Sequence, residues 1–335
     1  MRFVVFGAGA VGSVLGGHLA LNKQDVLLVT REPHAAAINE NNGLRMLSAT
    51  GDYSAPLRAA TKLAREDIDA DTCVFFTPKS NDTKSCVEQL VKTAPPDTPV
   101  VSFQNGVTNE EIIVKYFENV YGGVCRMTCS QLQPGQVSFR KMGRLVVGKY
   151  PKGAHSFPKK LASVLEEAGF DVSVSNSIMC DKWLKLIVNL QSGFNAIIEN
   201  RDHDSVEFME LKVGVLEEAK KVLRAQKMKA KSCDDRDLSV DDVIGELKKP
   251  KAPRSPSSVR VNNSTWQNLY LKRKEIENGY FHNPIIEMAK KHKIDVPFNE
   301  VSLELVTESC NEQLGPGAFR ASEVLQKIKD RSTGS

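Results

Sequence analysis

The sequence predicts an α/β fold, in which an N-terminal doubly wound parallel sheet is followed by an all-helical domain. Three observations carry this expectation. Residues Met1 to Arg31 read as strand, glycine turn, helix and strand, in about the length a βαβ crossover needs. Further short apolar runs at Asp71 to Thr77 and Pro99 to Phe103 alternate with helical stretches, the pattern of a parallel sheet. After Ser175 helical periodicity dominates to the end of the chain.

The first unit is the most informative. Arg2 to Phe6 is a buried strand by its Val and Phe content. Gly7-Ala8-Gly9-Ala10-Val11-Gly12 follows at once, and Val11, Val14, Leu15, His18 and Leu19 then recur at helical spacing. Asp25 to Thr30 closes the unit as a second strand. In a G-x-G-x-x-G turn of this Rossmann type, Gly7 permits the tight turn and Gly9 lets a pyrophosphate approach the backbone. Gly12 lets the helix pack closely on the sheet. The N–H groups of Ala10, Val11 and Gly12, at the helix start, then face the phosphates. A lone glycine motif is weak, but here it stands in the strand–turn–helix context that dinucleotide binding requires. At the end of the second strand, where NAD sites place an acidic residue, stand Thr30 and Arg31. A guanidinium suits a 2′-phosphate, so NADP(H) is preferred to NAD(H). Glu32 is the competing ribose acceptor if the register differs by one.

Composition bounds the rest. A chain of 335 residues is long enough for two domains. Its 41% hydrophobic and 26% charged content are those of a globular protein. No apolar run approaches the roughly eighteen residues of a membrane span. The first apolar run breaks into the glycine turn after Phe6, which is unlike a signal peptide. The expected location is the cytoplasm, with no membrane partner. Seven scattered cysteines read as reduced thiols, and the Cys125/Cys129 pair lacks the further ligands a metal site needs, so no metal is expected. A net charge of +4 is too mild to argue for a nucleic-acid partner.

In order, a helix is expected at His34 to Asn42. The strand Asp71 to Thr77 ends in Pro78-Lys79-Ser80, with a helix from Asp82 to Thr93. The strand Pro99 to Phe103 ends in Gln104-Asn105-Gly106, with a helix from Glu110 to Phe117. Ligands on such sheets bind beyond the carboxyl ends of the strands, so Lys79 and Asn105 should share a rim with the glycine turn. Residues 122–148 read as strands with a hairpin turn at 133–136. A helix at Phe157 to Ala168 and a strand at Asp171 to Val174 complete this part. Later helices are expected at Ile178–Glu199, Ser205–Lys227, Ser264–Tyr280, Asn283–Lys291 and Ser302–Glu312. The expected organisation is residues 1–175, 176–328 and a frayed tail at 329–335. The Pro- and Ser-rich basic stretch Leu247 to Arg260 reads as a solvated connector.

In the second domain, Trp183, Ile187, Leu190, Phe194 and Ile197 form an apolar stripe. Lys185, Asn189 and Ser192 lie opposite at i, i+4 and i+7, flanked by Leu184, Val188 and Leu186. Lys185 is then a lysine on a narrow polar strip between apolar walls, where it needs a partner or a role. Lys182 lies toward the edge of that strip and is expected to matter little.

These pieces resemble the ketopantoate reductase (2-dehydropantoate 2-reductase) family. The resemblance rests on GAGAVG at 7–12, Lys79 after a strand, QNG at 104–106, KLIVN at 185–189, STWQ at 264–267, KEIE at 274–277 and the Asn278–Asn299 stretch. It implies NADPH-dependent reduction of a small 2-keto acid. Lys185 would be the general acid and Glu275 the carboxylate that orients the substrate hydroxyl and the lysine. Ser264 would bind the substrate carboxylate and Asn189 the substrate. Asn105 and Lys79 would stand beside the nicotinamide and the lysine, Asn105 serving cofactor and substrate alike. A homodimer is compatible with this reading. The chain departs from the family at Gly193, where many members carry a second asparagine, in the shorter Ser264–Glu275 spacing, and in the long basic segment 228–262. The alternatives are a reductase of another branched or aromatic 2-keto acid, like the D-mandelate dehydrogenases, and a non-catalytic NADP(H)-binding sensor. Lys185 and Glu275 argue against a sensor, which needs no acid–carboxylate pair.

Overall fold

The computed structural model describes residues 1–333 except Thr50, Lys141, 250–262 and Glu275. The chain divides into two compact units, Met1–Lys182 and Trp183–Ser335.

The first unit opens with β1 (Arg2–Phe6), α1 (Ala10–Leu21), β2 (Asp25–Val29) and α2 (His34–Glu40). β3 (Leu44–Ser48), β4 (Gly51–Ala55) and β5 (Arg58–Ala60) follow. Then come β6 (Thr72–Phe76), α3 (Thr83–Leu90), β7 (Val100–Ser102), α4 (Asn109–Ile113), β8 (Val120–Arg126), β9 (Cys129–Ser130), β10 (Gln136–Phe139) and β11 (Arg144–Lys149). α5 (Ser156–Glu167), β12 (Asp171–Ser175) and the start of α6 (Ile178–Leu190) complete it.

Eight strands form the main sheet in the order β12-β11-β8-β7-β6-β1-β2-β5. β1 pairs in parallel with β2 on one side and β6 on the other, so the chain winds both ways from β1. Side chains alternate across it. Phe3 and Val5 join Val14, Leu15, Leu19, Leu161 and Leu165 on one face. Val4 and Phe6 join Val74, Phe76, Val87, Leu90 and Ile113 on the other. Burial on both faces is why these strands read as continuous apolar runs. The sheet is not wholly parallel, because β8 and β11 run antiparallel. A second sheet, β4-β3-β10-β9, was not expected over residues 44–55. β4 is exposed except at Ala55, so it shows no apolar alternation and is held by its pairing with β3.

The second unit takes the rest of α6, then α7 (Ser192–Ile197), α8 (Val206–Ala225), α9 (Val240–Lys248), α10 (Ser264–Tyr270), α11 (Asn278–His292), α12 (Pro297–Asn311) and α13 (Ala321–Thr333). Several expectations need correction. The helix expected over Ile178–Glu199 is divided at Gln191 into α6 and α7, and α7 ends at Ile197. The helix expected over Ser264–Tyr280 stops at Tyr270, and α11 begins earlier than Asn283. The tail does not fray after Ile328. α13 runs to Thr333, and Arg331 reaches Glu304 at 2.6 Å. Its first turn is fixed by Asp202, which accepts from Ala321 N at 2.8 Å and from Arg320 at 2.8 and 3.0 Å. α12 begins with Pro297 at its first turn, and the Glu218 carboxylate accepts from Phe298 N at 2.9 Å and Asn299 N at 3.0 Å. Of the expected basic connector, Leu247 and Lys248 end α9, and the residues from 250 lie outside the described ones. No helix among the described residues is long and apolar enough to cross a membrane.

Candidate functional site

At the end of β1 the three glycines differ in what a side chain would meet. Gly7 has φ +82°, and a Cβ there would stand 2.6 Å from Pro78 N, so the turn requires glycine. At Gly12 a Cβ would meet Val5 Cγ1 at 2.8 Å and Thr77 Oγ1 closer still, so its bareness lets α1 lie on the sheet. At Gly9 a Cβ would meet nothing within 4 Å. The backbone is therefore bare on an open side, which fits the close approach of a pyrophosphate. The first intrahelical bond of α1 runs from Ser13 N to Gly9 O at 2.8 Å. The N–H groups of Ala10, Val11 and Gly12 thus lie ahead of the helical ladder, and no acidic residue occupies this first turn.

Neighbouring strand ends complete a rim. Thr30 follows β2 and donates to Ala8 O at 3.0 Å, tying the strand end to the glycine turn. Arg31 is next, with a side chain 88% exposed and 3.8 Å from Asp82. Glu32 is engaged elsewhere, accepting from Ala36 N at 3.2 Å in the first turn of α2. That leaves Arg31 as the exposed cation at this strand end. Lys79 follows β6 and is half-buried. Asn105 follows β7 and is half-buried, and Gly106 beside it has φ +85°. The order β2-β1-β6-β7 therefore lays Arg31, the glycine turn, Lys79 and Asn105 along one edge.

Beneath that edge lies a buried polar network. Gln104 Nε2 donates to Pro78 O at 2.9 Å and to Thr83 Oγ1 at 2.8 Å. Thr83 donates to Asn109 Oδ1 at 2.8 Å. The Asn105 carbonyl accepts from Asn109 Nδ2 at 2.7 Å and from Ser80 Oγ at 3.2 Å. Lys182 corrects the sequence expectation. It is 3% exposed, pairs with the fully buried Glu110, and donates to Gln104 O at 3.2 Å. Its partner lies 72 residues away, beyond the reach of any local spacing argument.

In the second unit, Leu184, Leu186, Ile187 and Leu190 of α6 are buried while Lys185 and Asn189 are half-buried on one face. Gly193 is a packing glycine. A Cβ there would crowd Ser302 Oγ and stand 3.2 Å from Asn278 Nδ2 and 3.3 Å from Val306. Ser264 opens α10 on its exposed side, whereas its neighbour Thr265 is buried and donates to Asn278 Oδ1 at 2.8 Å. Asn263 caps α10 through Trp266 N at 2.8 Å and donates to Ser192 O at 3.1 Å. Asn278 is 1% exposed, and its Nδ2 has no hydrogen-bond partner among the described residues. Sequence reasoning did not single out Thr265 or Asn263. Glu275 lies outside the described residues. A cavity of about 500 Å³ beside Val206, Met209, Val213 and Leu247 is lined by none of the candidate residues.

Comparison with known proteins extends these observations over nearly the whole chain. The family model described as ketopantoate reductase PanE/ApbA matches residues 3–152, and its C-terminal counterpart matches residues 177–309. The 2-dehydropantoate 2-reductase of Pyrococcus horikoshii is 30% identical over 326 residues, covering 95% of this chain and 100% of the relative. That of Pyrococcus abyssi is 29% identical, covering 89% and 94%. Among solved structures, a PanE/ApbA family ketopantoate reductase from Ralstonia eutropha superposes with a TM-score of 0.79 at 26% identity, covering 93% of this chain and 99% of that one. A D-mandelate dehydrogenase with NADH and anilino(oxo)acetate gives 0.80 at 24%, covering 94% and 100%, and at that identity shares the fold. With both family models matched in order and relatives aligned from end to end, the chain belongs to the ketopantoate reductase family, an oxidoreductase family.

Proposed function

We propose that the protein reduces 2-dehydropantoate to pantoate with NADPH. The observation that carries this reading is the half-buried Lys185–Asn189 strip of α6, set between the buried Leu184 and Leu186, in a chain whose Gly9 leaves its backbone open to a pyrophosphate. The relatives named 2-dehydropantoate 2-reductase supply the substrate.

Gly7, Gly9 and Gly12 with the N–H groups of Ala10 and Val11 would hold the pyrophosphate. Arg31 would take the 2′-phosphate through charge-assisted bonds, which favours NADP(H) over NAD(H). Bound NADPH supplies the hydride that reduces the 2-keto carbon. Lys185 donates a proton to the carbonyl oxygen as it gains charge. Glu275 orients the substrate hydroxyl and the lysine ammonium. Asn189 binds the substrate and Ser264 its carboxylate. Lys79 and Asn105 position the nicotinamide end. A second reading, reduction of another branched or aromatic 2-keto acid, is favoured by one observation. Gly193 is packed against Ser302 and offers no side chain where many family members carry an asparagine.

The test is steady-state NADPH oxidation by wild type and Lys185→Ala with 2-dehydropantoate. A positioned acid contributes about 10²–10⁴-fold, so kcat should fall by that factor while NADPH affinity barely changes. A Lys185→Ala protein as active as wild type would overturn the assignment.

A further inference from the structure

Lys182 and Glu110 form a buried ion pair that the reaction as proposed does not use. Burying an ammonium and a carboxylate together rarely stabilises a fold more than two apolar side chains of similar size would. Stability alone is therefore a poor reason for the pair. What an apolar pair could not supply is a donor, and Lys182 Nζ donates to Gln104 O at 3.2 Å. Glu110, in the first turn of α4, neutralises that ammonium. The start of α6 lies close on β8 at Gly122: a Cβ there would crowd Ile178 Cγ1 at 2.9 Å, while Lys182 Cδ passes at an ordinary contact distance of 3.5 Å.

Gln104 begins the turn that follows β7 and carries Asn105. Each of the two successive carbonyls in this turn is fixed by a buried donor: Gln104 O by Lys182, and Asn105 O by Asn109. The Gln104 side chain extends the hold to Pro78 O, one residue before Lys79. The strand order places this turn at one end of the rim and Arg31 at the other, with the phosphate-binding glycines between. A dinucleotide with its 2′-phosphate at Arg31 and its pyrophosphate at Gly9 therefore runs its nicotinamide end toward β6 and β7.

Resting on the proposed cofactor orientation, we propose that Lys182 and Glu110 are positioning residues for the nicotinamide end of the dinucleotide. The pair acts through the Gln104–Gly106 turn and touches neither cofactor nor substrate.

The experiment compares wild type, Lys182→Met/Glu110→Leu and Lys182→Arg. The double variant removes both charges together, so neither is left buried alone; the arginine keeps a cation with donors for both Glu110 and Gln104 O. Calorimetric affinities are measured for NADPH and for 2′-phospho-ADP-ribose, which lacks the nicotinamide. In the double variant the fragment should bind as it does to wild type. NADPH should weaken about tenfold, the equivalent of one hydrogen bond's worth of positioning. Single-turnover oxidation should slow by about 10²-fold, the scale of a misplacement near 1 Å. Lys182→Arg should restore both. Unchanged NADPH affinity in the double variant, or equal weakening of NADPH and fragment, would overturn the proposal. A double variant that fails to fold leaves the decision to Lys182→Arg, in which loss of NADPH affinity with a fully paired cation would equally overturn it. The affinity ratio needs no turnover, so a wild type that oxidised NADPH with no keto acid would refute the reductase reading and leave this inference standing.

Discussion

Gly9 and Gly12 stand one helical turn apart and should fail in opposite ways when given a side chain. Gly12→Ala puts a methyl 2.8 Å from Val5 Cγ1 and nearer still to Thr77 Oγ1, where carbon atoms ordinarily rest about 3.5–4.0 Å apart. α1 must lift from β1 or its neighbours must leave their rotamers. Overpacking of this kind costs about 1–3 kcal/mol. For a unit of this size each kilocalorie lowers the melting temperature by roughly 2–4 °C. Gly9 has φ −82° and ψ −154°, an extended conformation open to any residue, and a Cβ there meets nothing within 4 Å. Gly9→Val should therefore cost only the weaker capping of α1, about 0.5–1 kcal/mol. Its branched side chain would instead fill the space a pyrophosphate needs. Losing one charge-assisted hydrogen bond to the phosphates removes about 1.5–3 kcal/mol, or roughly 10- to 10²-fold in Kd. Thermal melts and NADPH fluorescence titrations on both variants decide the matter. The reasoning predicts a low melt for Gly12→Ala and a near-normal melt with weak binding for Gly9→Val. A Gly9→Val protein that binds NADPH like wild type, or melts as low as Gly12→Ala, would refute it.

Two further outcomes are expected. Arg31→Ala should raise the KM for NADPH by about tenfold or more, from a charge-assisted bond worth about 1.5–3 kcal/mol, and leave NADH nearly unchanged; equal changes for both cofactors in steady-state kinetics would assign the 2′-phosphate to another residue. Burial pushes the Glu218 carboxyl up to about 7, against the pull of the Phe298 and Asn299 donors and with a further push from Glu300. The folded state therefore holds this proton more tightly than the unfolded chain, and the associated stability, present below the ordinary carboxylate range, is lost as pH rises toward and through 7. Denaturant melts of wild type and Glu218→Gln should show wild type losing about 3 kcal/mol relative to the variant between pH 4 and 8, and a pH-independent difference would contradict the assignment.

The parts of the fold that were legible in the sequence are those whose cause is local. β1, β6 and β7 are buried on both faces, so each appears as an unbroken apolar run. The glycine turn was legible because its three glycines answer to distinct constraints within a few residues. β4 was not, since four of its five residues are exposed and its position comes from pairing with β3. The break at Gln191 was hidden because Leu190, Phe194 and Ile197 are all buried, so apolar periodicity carries on across it. α9 carries a local signal of its own. Ser239 and Asp242 form a capping box at its N-terminus. In the candidate site, the strand-end residues Arg31, Lys79 and Asn105 followed from topology. Lys182 and Glu110 did not, because only the folded chain brings the start of α6 to α4.

The most direct measurement of the central claim is kcat/KM for NADPH oxidation across a panel of 2-keto acids, repeated with NADH. The panel includes 2-dehydropantoate, other branched-chain 2-keto acids and an aromatic one. The account predicts that 2-dehydropantoate gives the highest value and that NADPH exceeds NADH with it. A higher value for an aromatic keto acid would transfer the activity to the second reading. Oxidation with none of them would contradict the proposed reduction altogether.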